Sequence, residues 1–354
     1  MHRKPIEAVE TWTGPGNTDA VIEALTLDEN AVHPIDDRHY FEHWYFDAKL
    51  DDGHVVVGFV QASELITRKP GVELHVYKPG GEKLSVVKGY PGSAVRASTG
   101  KCDVRVGDNF CVAELLGGSS LPVHRLHLAE EDMEFDLRFE SEVPGWKPGG
   151  GKTMYGGREF FAWVVPAPKA RVTGTVRFGD TVLQARGIGY HDHNWGVGDM
   201  KRIIDFWYWG RVYADDVTLL YAYVKTRERY GSACSTPLML AHRDKVILSS
   251  GEVTLETGER VFNRGGNRDY PASLVIEVPG SLKLRLDVRE VIDAHDFLED
   301  LPVVRSRAVK PLVNRLAGRP GYFRFSSDFS LRVGHAGLDC ERSGTTMHEM
   351  VALR

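Results

Sequence analysis

The residues best suited to chemistry form one short block, Gly189-Tyr190-His191-Asp192-His193-Asn194-Trp195-Gly196. Two imidazoles, a carboxylate and an amide in succession are costly to bury without partners, so a strand built this way either forms a hydrogen-bonded network or serves a reaction. His-x-His on a strand puts both imidazoles on one face and permits chelation. The following Asn194-Trp195-Gly196-Val197-Gly198 supplies no spaced Glu or His to complete a metal site, so the expectation is no metal, with distant His124, His127 or His348 the alternative source of further ligands. If the block is extended, Tyr190, Asp192 and Asn194 share one face while His191, His193 and Trp195 share the other. A bend at Gly187, Gly189 or Gly196 would be needed to bring Asp192 to the histidine face.

A second constellation is Asp205-Phe206-Trp207-Tyr208-Trp209-Gly210-Arg211, four aromatics in a row that send rings to both faces of a strand. Either Trp207 and Trp209 fill a core while Phe206 and Tyr208 meet a neighbour, or the rings wall a cavity that holds an extended apolar ligand and stabilises a developing cation. Tyr221 and Tyr223 share one face of a nearby strand and are further lining candidates. Other motifs carry less. The Pro148-Gly149-Gly150-Gly151-Lys152-Thr153 stretch is mis-spaced for a phosphate loop and reads as a turn. No G-x-S-x-G elbow occurs, and Cys102, Cys111, Cys234 and Cys340 show no C-x-x-C spacing, which suits reduced, buried thiols.

The elements that must position these residues are mostly strands. Met133, Phe135, Leu137 and Phe139 alternate with charged residues, as do Leu282, Leu284, Leu286 and Val288. Helical patterning is confined to residues 19–25 and roughly 304–317. With 354 residues, the chain exceeds one antiparallel barrel. All seven tryptophans lie within the first 209 residues, a composition shift that places a boundary near 200. The expected units are therefore 20–200 and 201–354, with Val165-Pro166-Ala167-Pro168 as a second candidate boundary. A balance of 44 Lys+Arg against 49 Asp+Glu, net −5, shows no basic excess and argues against nucleic acid. The N-terminus lacks the apolar core of a signal peptide and no run reaches ~18 apolar residues, so the expectation is a cytoplasmic protein without stable membrane insertion. Oligomeric state is not legible.

The GYHDHNWG block resembles the signature of the carotenoid 1,2-hydratase (hydroxyneurosporene synthase) family, within a superfamily that includes kievitone hydratase and lipocalin-like Diels–Alderases. The resemblance extends to Phe41-Glu42-His43-Trp44-Tyr45-Phe46-Asp47, with His43 where the family carries tryptophan. It also covers Trp207 to Arg211, Tyr322-Phe323-Arg324-Phe325, and Gly344 to Glu349. It implies two tandem lipocalin-like antiparallel β-barrel domains with short accessory helices, a ligand cavity near their junction, and no cofactor. By match, His193 and Trp195 correspond to the histidine and tryptophan associated with activity. The hydratases use an acidic residue in the downstream region where this chain has Tyr221 and Tyr223, which leaves room for a cyclase or isomerase.

The implied chemistry is protonation of an alkene carbon in an apolar polyene or isoprenoid, which needs an acid held in a dry site. Asp192, kept neutral by burial, would donate the proton, and His191 or His193 would position it or activate the capturing water. Tyr190, Trp195, Trp44, Trp207, Trp209, Tyr221 and Tyr223 would line the substrate, the indoles stabilising the cation. Three rivals stay open: a pericyclase that only shapes a polyene for ring closure, a non-catalytic lipid or terpenoid carrier, and a structural network that pins the barrels together.

Overall fold

A computed structural model of the chain describes residues 5–10, 22, 25–65, 67–117, 119–299 and 318–354. The helical stretches expected at 19–25 and 304–317 fall almost entirely outside these residues. Among those described, Ile22, Leu25 and Thr26 are not helical. Backbone contacts divide the chain into two units, Val21–Gly198 with Arg243–Val246, and Asp199–His242 with Ile247–Arg354 and the N-terminal stretch. Each is built on a curled antiparallel sheet of lipocalin-like type.

In the N-terminal unit the strand Tyr40–Leu50 pairs on one side with Val55–Ser63 and on the other with Thr181–Val197. The sheet continues through Glu159–Phe178, Met133–Ser141, Pro122–Glu130 and Asn109–Leu115. Alternation dictates this arrangement: Met133, Phe135, Leu137 and Phe139 are buried in one apolar core with Val72, Leu74, Val76, Leu126 and Leu128. Gly58 shows how tightly the sheet curls. A Cβ there would meet the Leu128 and Leu126 side chains at 2.8 and 3.2 Å, although their strand lies far from Val55–Ser63 in the sheet order.

Val165-Pro166-Ala167-Pro168 is not a boundary, because it lies inside the strand Glu159–Phe178. Its two prolines lack the N–H of a regular ladder, and the register shifts between Val164 and Ala167 and again between Ala167 and Ala170. The prolines thus mark a bulge rather than a linker.

The C-terminal unit runs Leu238–His242, Val217–Thr226, Ile204–Ala214, Leu338–Ala352, Gly321–His335, Leu282–Asp296, Ser273–Val278. Its core holds Tyr208, Val212, Leu219, Tyr221, Phe323, Phe325 and Met350, with Phe206 packed against them. This reverses the expected core assignment of the aromatic run. Tyr208, Gly210 and Val212 point inward, and Trp207 and Trp209 occupy the opposite, half-buried face. Cys102 and Cys111 are buried free thiols as expected, whereas Cys234 is exposed and Cys340 half-buried. No helix among the described residues is long and apolar enough to cross a membrane.

Candidate active site

The Thr181–Val197 strand runs unbroken between Tyr40–Leu50 and Glu159–Phe178, so no glycine bends it and the two faces stay separate. The glycines serve close packing instead. At Gly189 a Cβ would lie 2.6 Å from Phe139 and Val172 and 2.7 Å from the Asp47 carbonyl.

On the inward face, imidazoles stack on the rings directly opposite them. His191 faces Phe46 in register and stacks on it at 3.9 Å, and His193 faces Trp44 and stacks at 4.3 Å. Trp195 stacks on His33 at 4.0 Å. His191 Nδ1 lies 2.9 Å from the Tyr45 carbonyl, which can only accept, so Nδ1 carries the proton and Nε2 accepts from Asn30 Nδ2 at 3.2 Å. The second Asn30 amide proton reaches His124 Nε2 at 3.2 Å. Burial first, and then His124, hold His191 well below the usual imidazole range, while burial brings His124 down to about 3. Both are neutral.

His193 differs because both ring nitrogens face oxygens: Nδ1 the Glu29 carbonyl at 3.3 Å and Nε2 the Glu42 carboxylate at 2.9 Å. Glu42 is fully buried and also accepts from the His33 backbone N–H, His33 Nδ1 and the Tyr40 hydroxyl. Burial pushes its carboxyl up, but the hydrogen bonds from His193, His33 and Tyr40 outweigh it and hold it at about 2. Burial lowers His193 below the ordinary imidazole value, and the hydrogen bond and charge of Glu42 oppose this only in part. His33, Glu42 and His193 present donor atoms within 4.8 Å of one another, a set that could hold a cation. The two imidazole nitrogens already point at the same carboxylate oxygen, at 3.2 and 2.9 Å, so the trio is satisfied as a hydrogen-bonded set.

The outward face holds the acid. Asp192 Oδ2 accepts from the Tyr190 hydroxyl at 2.9 Å and from Trp163 Nε1 at 3.1 Å, and Oδ1 accepts from Asn194 Nδ2 at 2.8 Å. Burial raises its carboxyl from 3.8 to about 7, with nearby Asp47 adding to the rise against the three donors. Oδ1, with one donor rather than two, is the better seat for the proton. Around it stand Tyr45, in register opposite, with its hydroxyl donating to Asp47 Oδ2 at 2.7 Å, and Trp163, edge-on to Trp146 at 5.5 Å.

The three expected catalytic residues are therefore split by parity. Asp192 sits with Tyr190, while His191 and His193 sit with Trp44 and Trp195 on the other side of the sheet. In the C-terminal unit the expected lining residues are split likewise. Tyr221 is in the core and Tyr223 packs against it, with its hydroxyl 3.0 Å from Cys234 Sγ, whereas Trp207 and Trp209 lie on the opposite face. Arg211 stands 5.3 Å over the Trp209 ring. A cavity of about 470 Å³ opens in the N-terminal unit beside Val32, Ile35, Tyr40 and Val95, and none of the expected site residues lines it. Sequence reading missed Glu42, His33, Asn30 and Trp163. Glu42 lay within a quoted motif, and its parity with Trp44 and Phe46 was the available signal.

No family model matches the chain. Hydroxyneurosporene dehydrogenase of Chlorobaculum tepidum is 25% identical over 294 residues, spanning 68% of this chain and 71% of that protein. An AttH-like protein from Nitrosomonas europaea superposes with a TM-score of 0.62 at 14% identity, covering 98% of this chain and all (100%) of its own. CghA with Sch210972 gives 0.61 at 14% identity over 89% of this chain and 88% of that one. Kievitone hydratase from Nectria haematococca gives 0.58 at 14% identity over 98% and 97%. At such identities the structural likenesses establish the fold, two lipocalin-like β units in one chain. With the hydroxyneurosporene dehydrogenase relative and the GYHDHNWG strand, the chain resembles the carotenoid hydratase and lipocalin-like superfamily.

Proposed function

We propose that the protein is a cofactor-independent enzyme that protonates an apolar polyene or isoprenoid, leading to hydration or cyclisation through a carbocation. The observation that carries this reading is Asp192, a buried carboxyl raised to about 7 and held by three neutral donors. Such a group is largely protonated in the mildly acidic to neutral range and dry enough to be a competent acid. Tyr190, Tyr45 and Trp163 supply the surrounding rings, whose faces favour a developing cation. His191 and His193 act by fixing the strand, since their ring nitrogens are already engaged with Tyr45, Asn30, Glu29 and Glu42. A pericyclic reaction on the same scaffold is the second reading, favoured by that same engagement, which leaves neither His191 nor His193 free for proton transfer.

The test is turnover of a panel of acyclic carotenoids and shorter isoprenoids by the wild type and by Asp192→Asn, with folding checked by circular dichroism. The expected result is a loss of at least ~100-fold in the variant. In the wild type, the rate should fall as pH rises through about 7, following loss of the Asp192 proton. A pericyclase would keep its rate in Asp192→Asn and show a flat profile. A carrier would return every ligand unchanged.

A further inference from the structure

On the inward face of the Thr181–Val197 strand, three side chains with metal-binding atoms converge. His193 is in register with Trp44 and Glu42 with Trp195, so Glu42 and His193 are diagonal neighbours on two paired strands. His33 reaches them from the segment that follows the Asp28–Asn30 turn, its ring stacked flat on Trp195 at 4.0 Å. His33 Nδ1, Glu42 Oε1 and His193 Nε2 lie within 4.8 Å of one another, and the carboxylate oxygen stands 3.2 and 2.9 Å from the two nitrogens. Ligand atoms around a tetrahedral zinc ion are about 3.3 Å apart, so small shifts bring these three round one ion. The side chains of Glu42 and His193 are fully buried, while that of His33 is 30% exposed and gives the site its way in.

The hydrogen bonds that satisfy Glu42 leave His193 one proton short. A neutral imidazole carries a single N–H, yet His193 meets acceptors at both nitrogens, the Glu42 carboxylate at Nε2 and the Glu29 carbonyl at Nδ1. With the proton on Nε2, a lone pair is set against the Glu29 oxygen at 3.3 Å. A doubly protonated ring would satisfy both oxygens only as a cation with no exposure to water. A metal ion at Nε2 removes the conflict, since the one proton then belongs on Nδ1 and is donated to Glu29. Metal-bound histidines are commonly fixed in this way, by a second nitrogen that donates to a backbone carbonyl. The Tyr40 hydroxyl and the His33 backbone N–H donate to Glu42 and hold its carboxylate in place.

We propose that His33, Glu42 and His193 form a zinc site, with water in the fourth position, that clasps the segment around His33 to the sheet. Two imidazoles and one carboxylate offer too few oxygens for calcium or magnesium, and such a set binds zinc more tightly than ferrous iron. The site lies across the sheet from Asp192 and takes no part in the proton transfer proposed there, so either reading stands if the other fails.

The test is metal binding by the full chain after dialysis against a chelator, measured by competition with a chromophoric chelator. One equivalent of Zn²⁺ should bind with a Kd of about 1 μM or below and raise the melting temperature. Mg²⁺ and Ca²⁺ should do neither, and Fe²⁺, added without oxygen, should bind more weakly than Zn²⁺. His33→Ala changes a partly exposed position; it should keep the metal-free fold by circular dichroism and weaken Zn²⁺ binding at least about 100-fold. Cys234→Ser, which removes the exposed thiol, should bind Zn²⁺ as the wild type does. X-ray absorption of the zinc-loaded wild type should show only nitrogen and oxygen ligands, two of them imidazoles, at roughly 2.0–2.2 Å. A wild type that binds no Zn²⁺, sulfur among the ligands, weakened binding by Cys234→Ser, undiminished binding by folded His33→Ala, or tighter binding of Fe²⁺, Mg²⁺ or Ca²⁺ would each overturn the proposal.

Discussion

Replacing Asp192 with asparagine should change how stability depends on pH, independently of any substrate. The carboxyl titrates near 3.8 in the unfolded chain and near 7 in the folded one, because burial outweighs the donors Tyr190, Trp163 and Asn194. A raised folded value means that the native state binds the proton more tightly. Its contribution to stability is full below the unfolded value and is lost as pH rises through the folded value. A span of roughly 3 pH units at 1.36 kcal/mol each amounts to about 4 kcal/mol. Between pH 5 and pH 7 the wild type should lose about 2.3 kcal/mol that Asp192→Asn does not lose. Urea denaturation of both proteins across this range measures it, and the difference between the two curves cancels the titrating groups that do not interact with Asp192. The asparagine also changes hydrogen bonds to Tyr190 and Trp163, which displaces the whole curve but not its slope. Parallel curves from pH 4 to pH 8 would show that Asp192 titrates as an ordinary carboxylate, and the acid assigned to it would be gone.

Three further outcomes follow from the same geometry. Glu42 is held at about 2 against a usual 4.5, so its contribution is present above the unfolded value and lost as pH falls toward 2. Glu42→Gln should flatten the acid limb of a pH-melting curve and, by putting an amide where a buried carboxylate accepts from His33, His193 and Tyr40, cost about 1–3 kcal/mol near neutrality. Gly189→Ala places a Cβ against Phe139, Val172 and the Asp47 carbonyl; chemical denaturation should show a loss of about 1–3 kcal/mol. The Tyr221 hydroxyl is buried in the C-terminal core with no hydrogen-bond partner among the described residues. Tyr221→Phe should therefore keep or raise stability, by up to about 1 kcal/mol, in the same measurement.

What could be read from the sequence was whatever depends on parity. Alternation around Met133 to Phe139 specified a half-buried strand, and the same period separated Asp192 from His191 and His193 before any coordinates. Parity also put Tyr208 opposite Trp209, but it could not say which side faced the core, and of the two readings left open the one with Trp207 and Trp209 in the core is inverted. The partners of the motif were out of reach for a different reason. Glu42 lies 151 positions from His193, and Asn30 stands 94 and 161 positions from the two histidines it joins. Such pairs are set by strand register for Glu42 and by the packing of the short Asp28–Asn30 helical turn for Asn30, which no local pattern encodes. The proline pair at 166 and 168 misled because a bulge and a linker draw on the same residue types.

The division of labour along Thr181–Val197 has an evolutionary reading. One side is an anchor of interlocked rings and shared protons; the other carries a single acid among neutral donors. Because successive positions point opposite ways, a descendant sequence can discard or replace the reactive outfit without loosening the chassis. Persistence of the histidines in a relative would then report an inherited architecture and, on the function proposed above, the reaction would be read from whatever that relative carries where Asp192 stands here.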